Sequence, residues 1–376
     1  MTTAAPTQAA PTQASQTAPT PALPTQALPS PSLPTPSLPT HSVLHHLSRL
    51  TDSRGLFEHA LLDVPRPEHG YCVDDVARAL IVVCREEIAD TEVLDLCRLY
   101  LDFTLSAIQP DGSCHNRMNA SGRWTDTPGT GDWWGRALWA LGVAAVHAPT
   151  ALLRRQALRG FHLAARARSA DLRAMTFAAL GAGELLIHDP QQAAARSLLH
   201  DVRPLVMLAP SVAGDPGWIW IEPRLRYGNG SVVEAALLIG AALPDSAAAS
   251  RGLELLDFLI GIEVTAGRYS VTPVEGRGPI DVGPAFDQQP IEVAALADAC
   301  ARAFEITGDP RWRDEVARAW AWFEGHNDSD VAMFDPVTGA GYDGLHTDGR
   351  NLNQGAESTL AMLSTAQHAQ RLCPAA

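Results

Sequence analysis

The 376-residue sequence contains no lysine, so all 28 of its basic residues are arginine. This absence excludes a Schiff-base lysine, a pyridoxal phosphate anchor and the lysine of a phosphate-binding P-loop. The net charge of −14, with no basic patch, disfavours nucleic acid and anionic lipid as partners. A neutral or cationic small ligand fits this composition better.

The first forty residues lack charged and aromatic side chains and contain ten prolines. Because such a composition cannot bury a core, we predict a disordered Pro/Thr/Ala-rich tail at 1–40 and one domain at 41–376. The tail has neither the basic start nor the apolar stretch of a secretory signal, and no later run has the length of a membrane span. The sequence therefore predicts a soluble cytoplasmic protein.

Metal-ligating residue types show no binding pattern. The six cysteines are scattered without a CxxC pair and mostly fall in apolar helical stretches, which predicts reduced core thiols. The thirteen histidines include no HExxH pair. We expect no metal and no cofactor.

A loop rich in Gly, Trp, Asp or Asn precedes a strongly apolar helix six times along the chain, and an amphipathic helix usually follows. VVEAALLIGAAL (232–243) is apolar on all sides, as in an inner helix, whereas WRDEVARAWAWFEG (312–325) has the single apolar stripe of an outer one. The apolar helices are predicted to begin near Asp74, Asp132, Leu172, Ser231, Gln289 and Gly355.

This repeat predicts an all-α fold, an (α/α)6 toroid of six helical hairpins with long loops at one mouth. The segment 41–50 has no upstream partner and the last apolar helix at 354–372 has no downstream one, so pairing them closes the ring. Two strand-like segments, 218–222 and 268–274, lie in the long loops and are interpreted as loop hairpins.

The loops before the inner helices meet at one mouth and combine carboxylates, amides and aromatic rings, a mixture typical of sugar sites. Cleavage of a glycosidic bond needs two carboxyl groups across the substrate. In a ring of six, Asp132 lies opposite Asp287, and Asp171 lies opposite Asp343 and Glu357. The predicted catalytic residues are Asp132, Asp287, Asp343 and Glu222, and the first two are the favoured pair.

The predicted substrate-binding residues share these loops: Asp74, Asp75, Trp133, Trp134, Arg136, Trp220, Arg224, Tyr227, Asn229, Gln288, Gln289, Tyr342, Asn353, Gln354 and Glu357. A structural alternative remains for many of them. An aspartate at a helix start is also a good N-cap or dipole partner, and Trp218 and Trp220 are equally suited to filling the core.

Four motifs carry a resemblance to known proteins: HGYCVDDVARAL, GDWWGRALWALG, FDQQPIEVAAL and NQGAEST. Over residues 41–372 the chain resembles the six-hairpin glycosidase superfamily, whose (α/α)6 toroids include glucoamylase-like, trehalase-like and sugar-epimerase-like enzymes. More closely, it resembles a bacterial domain found alone or joined to glycosyltransferases. The resemblance implies a mono- or oligosaccharide ligand and a glycosyltransferase as a partner.

Three functions follow from these observations. The first is an enzyme that cleaves or transfers a glycosyl unit through opposed carboxylates. The second is a sugar epimerase-like isomerase, for which His115 and His346 would have to point inward. The third is a non-catalytic glycan-binding partner of a glycosyltransferase, marked by carboxylates each paired with an arginine such as Arg136 or Arg224.

Overall fold

The computed structural model describes residues 43–209 and 217–374, and the predicted tail at 1–40 lies outside these ranges. This part of the chain contains twelve α-helices. The six inner helices are α2 (Val73–Cys84), α4 (Asp132–His147), α6 (Leu172–His188), α8 (Asn229–Ala242), α10 (Pro290–Thr307) and α12 (Ala356–Leu372). The six outer helices are α1 (His45–Arg49), α3 (Thr91–Ala107), α5 (Ala151–Ala164), α7 (Ala193–Val206), α9 (Ser246–Glu263) and α11 (Arg311–Phe323).

The inner helices form a closed ring. Each packs against the next inner helix along the chain, and α12 packs against α2 to complete the circle. The short helix α1 packs against α12, as the unpaired ends of the sequence predict. The (α/α)6 toroid is therefore confirmed, and α8, which begins at Asn229 rather than near Ser231, departs most from its predicted start.

Burial separates the two rings as the apolar patterns predict. Helix α8 is buried continuously from Asn229 to Gly240. In the outer helix α11 the residues of the predicted stripe are buried: Trp312, Val316, Ala319, Trp320 and Phe323. The six cysteines are free thiols, five of them buried. In the described part of the chain, the helices lack the combined length and apolar character that a bilayer crossing requires.

The loops carry five two-stranded antiparallel ribbons. Their strands are β1 (Ala60–Leu61) with β2 (Val64–Pro65), β3 (Tyr71–Cys72) with β4 (Arg117–Met118), β5 (Val264–Thr265) with β6 (Arg268–Tyr269), β7 (Phe334–Asp335) with β8 (Ala340–Gly341), and β9 (Gly344–His346) with β10 (Gly349–Asn351). The predicted hairpin at 268–274 is thus reduced to β6. The prediction for 218–222 is wrong, because this segment forms no strand and buries Trp218 and Trp220 against the ring of Phe258.

Helices α4 and α6 approach closely where glycines face each other. A Cβ added to Gly181 would lie 2.7 Å from the Cα of Trp139, on backbone that cannot move aside. We expect Gly181→Ala to lower the free energy of unfolding by about 1–3 kcal/mol, the cost of overpacking a tight core. Urea denaturation measures this value. Gly261→Ala is the matched control, because Gly261 is exposed on α9 and its added methyl meets nothing within 4 Å. Equal effects of the two variants would contradict the close contact.

Candidate functional site at the mouth of the toroid

A cavity of about 420 Å³ opens at the N-terminal ends of the inner helices, within the range of small-molecule pockets. Its lining includes Arg136 from α4, Phe177 from α6, Tyr227 before α8, Gln289 and Glu292 at the start of α10, and Glu357 from α12. Five of the six hairpins therefore contribute to one concave surface that mixes charged, amide and aromatic groups.

Asp132 is the first residue of α4 and is partly buried at this mouth. Burial raises the pKa of its carboxyl group, and a hydrogen bond from the Tyr227 hydroxyl acts in the opposite direction. Helix α4 has Gly131 at its N-cap and no side-chain capping bond. The carboxyl group of Asp132 is therefore not used to cap its own helix.

Asp287 precedes α10, whose N-cap Gln289 makes no side-chain capping bond. Burial raises the pKa of the Asp287 carboxyl group, while His346 and the Gln289 amide lower it and the nearby charge of Asp343 raises it further. Its Oδ1 atom is buried without a close hydrogen-bond partner. This carboxylate lies near other polar groups, and neither it nor Asp132 is among the residues that line the cavity.

The electrostatic neighbours of the two acids differ. Asp74, Asp171 and Arg173 act on Asp132, whereas His346 and Asp343 act on Asp287. Each acid thus belongs to its own side of the mouth, and their direct opposition across a substrate stays a prediction. The same holds for the predicted opposition of Asp171 to Asp343 and Glu357.

Gly344 lies so close to Asp287 that a larger residue at this position would displace the Asp287 side chain. A Cβ at residue 344 would collide with Asp287 Oδ1 and lie 3.2 Å from the Gln289 amide nitrogen, so both flexible side chains would turn away. With Asp287 as a reacting group, as the sequence predicts, we expect Gly344→Ala to lower turnover about 100-fold, because small displacements of such a group are costly, and to leave the melting temperature nearly unchanged. Steady-state kinetics and thermal unfolding, with Gly261→Ala as control, measure both. A large loss of stability with normal kinetics would contradict this role of Gly344.

Several predicted acids are paired with arginine. Asp74 Oδ1 lies 3.2 Å from Arg136 Nε, and Glu222 Oε2 lies 2.7 Å from Arg173 Nη2. Arg78 bridges two more acids, at 2.5 Å from Asp75 and 2.7 Å from Glu357. Among the predicted catalytic residues, Glu222 is therefore held as an ion pair.

Asp343 is held by the start of α12. Its Oδ1 accepts hydrogen bonds from the Gly355 amide at 2.7 Å and the Ser358 hydroxyl at 2.6 Å. These bonds satisfy donors that a helix start leaves unpaired. Asp343, a catalytic candidate, thus has such a structural role, while Asp132, in the first turn of α4, keeps the position of a dipole partner although it caps no helix.

The aromatic candidates divide by exposure. Trp134 and Trp220 have no exposed surface, so neither contacts a ligand in this conformation, and Trp220 fills the core as its structural alternative proposes. Trp133 is partly buried and donates its indole N–H to the Cys114 carbonyl at 2.7 Å. Tyr227 is 45% exposed at the cavity, and the guanidinium of Arg350 covers the ring of Tyr342 at 3.8 Å.

Most amide candidates support loops. Gln288 is fully buried and donates to Asp328 at 2.7 Å, and Asn229 is buried and donates to the Arg226 carbonyl. Asn353 accepts from the Leu62 amide, while the buried Gln354 accepts from His46 through its backbone carbonyl. Of the five predicted amides, Gln289 is the one that lines the cavity. Arg224, the remaining candidate, pairs with Asp281 and is about half exposed.

Glu292 lines the cavity and was not among the predicted site residues. It is buried, and it accepts a hydrogen bond at 2.6 Å from the amide of Gly228, whose φ of 64° requires glycine. Burial raises the pKa of Glu292 to about 8. In the sequence Glu292 lies in the first turn of α10, where an acid also suits the helix dipole, so no local signal marks it as a site residue.

The two histidines considered for an isomerase have different neighbours. His115 lies against Asp126, with 3.1 Å between Nδ1 and Oδ1, and stacks on Trp124. His346 instead acts electrostatically on Asp287. An acid/base pair formed by these two histidines stays a prediction.

One group of potential metal ligands occurs in the described ranges, formed by Glu58, Cys72 and Asp75. Two of its carboxyl groups already pair with guanidinium groups, Asp75 with Arg78 and Glu58 with Arg117. Burial raises the pKa of the Cys72 thiol well above its usual value, which disfavours the thiolate that binds metal. This donor set suits ion pairing better than a metal ion.

No protein-family model and no curated protein matches this chain. Among solved structures, a sugar epimerase from a ruminal bacterium aligns with a TM-score of 0.63 and 14% identity, over 87% of this chain and 95% of that one. A cellobiose 2-epimerase from Bacillus thermoamylovorans B4167 aligns with a TM-score of 0.64 and 12% identity, over 88% and 96%. A glycoside hydrolase family 9 endoglucanase, J30, aligns with a TM-score of 0.57 and 12% identity, over 83% and 73%. The chain therefore has the six-hairpin toroid fold that these enzymes share.

Proposed function

We propose that this protein is a carbohydrate-active enzyme that acts on a glycosidic bond at the mouth of the toroid, with Asp132 and Asp287 as the acid and base or nucleophile. The observation that carries the proposal is that both carboxyl groups are free of an arginine ion pair among the described residues. Burial raises the pKa of both, as a proton donor requires.

The cavity suits a sugar. Tyr227 offers a half-exposed ring to C–H groups, and Gln289, Arg136 and Glu357 offer partners to hydroxyl groups. The arginine pairs fix the surrounding acids in place, so that few side chains must be ordered when a substrate binds. The binding-only hypothesis expects every acid to be paired with arginine, and the unpaired state of Asp132 and Asp287 favours an enzyme.

A second candidate is a sugar epimerase or isomerase. The solved structures that align over 95% and 96% of their own length are a sugar epimerase and a cellobiose 2-epimerase. Proton transfer at a sugar carbon needs a group that titrates near neutrality, and Glu292, with its pKa raised to about 8, lines the cavity. In this reading Glu292 takes the part that a histidine pair would otherwise fill.

One screen separates these functions. The protein is incubated with mono- and oligosaccharides, with and without phosphate, in D2O, and products are identified by NMR and chromatography. A new reducing end or a sugar phosphate supports glycosidic bond chemistry. Deuterium incorporated next to the carbonyl carbon of a free sugar supports the isomerase. Thermal stabilisation without any product would overturn the enzyme proposal in favour of glycan binding.

We further propose, from the resemblance alone, that the protein acts beside a glycosyltransferase in the cytoplasm. Co-purification of the full chain with a glycosyltransferase encoded nearby tests this partner. Recovery of the chain alone, at salt concentrations that preserve weak complexes, would count against it.

A further inference from the structure

A second cavity of about 770 Å³ lies at the opposite end of the toroid, among the C-terminal halves of the inner helices. Trp139 and Asp298 line both this cavity and the mouth, so these two residues form the partition between them. The proposed chemistry at the mouth uses no side chain that lines this second cavity alone. We name the second cavity the lower cavity.

The lining of the lower cavity is strongly acidic, with eight carboxyl groups against three guanidinium groups. Each of these arginines already pairs with a carboxylate: Arg85 with Asp298 at 2.9 Å, Arg302 with Glu184 at 3.0 Å, and Arg371 with Glu305 at 2.7 Å. Two histidines are engaged as well, His147 with Glu184 and His368 with Asp298. The cations that could attract an anionic ligand are therefore already neutralised.

Two acids of this lining are buried, Asp298 and Glu234, and of these Glu234 has no arginine within hydrogen-bond distance. Glu234 is 2% exposed in the middle of the apolar helix α8, and its Oε2 atom has no hydrogen-bond partner. The nearest guanidinium atom, Arg302 Nε, lies 3.8 Å from Glu234 Oε1 and itself makes no hydrogen bond. A buried carboxyl group left unsatisfied costs about 1–3 kcal/mol, so its retention calls for a ligand that satisfies it.

We propose that the lower cavity binds a small organic cation, a protonated primary amine whose ammonium group is held by Glu234. An ammonium group supplies the donors that Glu234 lacks and offsets the negative lining. The partly buried ring of Trp139 gives the carbon chain of such a ligand an apolar surface. A metal ion is the poorer fit, because among the described residues three metal-ligating atoms come together at Glu58, Cys72 and Asp75, outside this cavity.

Release of the Glu234 proton gives a measurable sign that an amine has bound. Burial and the charge of Asp298 raise the pKa of Glu234 to about 8, so most of the carboxyl is protonated at pH 7. Binding of an ammonium group favours the carboxylate, and the proton must leave. The charged groups around Glu234 are Arg85 from α2, Glu184 from α6, Asp298 and Arg302 from α10, and beyond them His147 from α4 and His368 from α12.

The test uses the full chain at pH 7 and 150 mM NaCl, with putrescine as the amine and 1,4-butanediol as its neutral counterpart. We expect isothermal calorimetry to show putrescine binding, release of close to one proton when phosphate and MOPS buffers are compared, and no binding of butanediol. Glu234→Gln should weaken putrescine binding about tenfold or more, the loss of one charge-assisted hydrogen bond. Glu87→Gln, at the exposed rim, removes the same charge and should change affinity less than about twofold.

Several outcomes would overturn the proposal: equal binding of butanediol, stabilisation by inorganic phosphate alone, binding that Glu234→Gln leaves unchanged, or no binding of any probe. The proton count uses the unaltered protein, so the proposal remains testable even if Glu234→Gln does not fold. Loss of catalysis at the mouth has no bearing on these readouts, because putrescine is not a sugar.

Discussion

Asp132→Asn and Asp287→Asn are each expected to lower turnover of a glycoside by about 10²–10⁴-fold, the contribution of one positioned acid or base. Asparagine keeps the size of the side chain but cannot exchange a proton. Because neither carboxyl group caps its helix or pairs with an arginine, each variant should keep the melting temperature of the parent protein. Steady-state kinetics on the substrate found by screening, with thermal unfolding in parallel, measures both quantities.

The leaving group of the substrate separates the two roles. A dinitrophenyl glycoside needs no protonation to leave, so the variant that lacks the general acid should recover most of its rate on this substrate, and the other variant should not. Asp348→Asn is the matched control, since Asp348 is exposed on a loop of the same mouth. Normal turnover in both variants, or an equal loss in the control, would remove Asp132 and Asp287 from the mechanism.

The ring of helices is predictable because its signal is local. An inner helix buried on all sides must be apolar around its whole circumference, and an outer helix must carry one stripe, so α8 and α11 are each recognisable from a dozen residues. Ring closure follows from counting hairpins in the sequence. Every other helix has a hairpin partner next to it along the chain, so α1 and α12 are left to pair with each other, as they do in the structure. These features need no knowledge of which side chains meet in space.

The site is less predictable because its contacts join distant loops. Asp343 bonds to the start of α12 only because the β9–β10 ribbon returns the chain to that point, and Trp220 turns inward to meet Phe258, 38 residues further along the chain. The partnership of Arg78 with Glu357 likewise joins opposite ends of the domain sequence. The sequence also gives no sign that Glu292 is buried, because an acid in the first turn of a helix is expected from the helix dipole alone.

Buried carboxyl groups also make the stability of the protein depend on pH. Burial raises the pKa of Glu263 from 4.5 to about 7 in the folded chain, and it raises the pKa of Asp75 to about 7 and of Glu292 to about 8. Between the unfolded and folded pKa values the folded state holds a proton that the unfolded state has lost. The contribution of these groups to the free energy of unfolding is therefore complete below about pH 4.5, and it declines as the pH rises to between 7 and 8.

We expect the free energy of unfolding to fall between pH 5 and pH 7 by about 1.4 kcal/mol per pH unit for each such group, in urea denaturation at constant ionic strength. The pKa of Glu184 is lowered to about 2, because His147 and Arg302 outweigh the effect of its burial. Glu184 has therefore lost its proton in both the folded and the unfolded state above pH 5, and it does not oppose this trend.

Glu263→Gln should reduce the pH dependence of the unfolding free energy by the contribution of one group, because glutamine still contacts Thr272 but cannot ionise. Glu275→Gln, an exposed acid of the next loop, should leave the slope unchanged. A slope that is the same in all three proteins would show that Glu263 is not buried as a neutral acid.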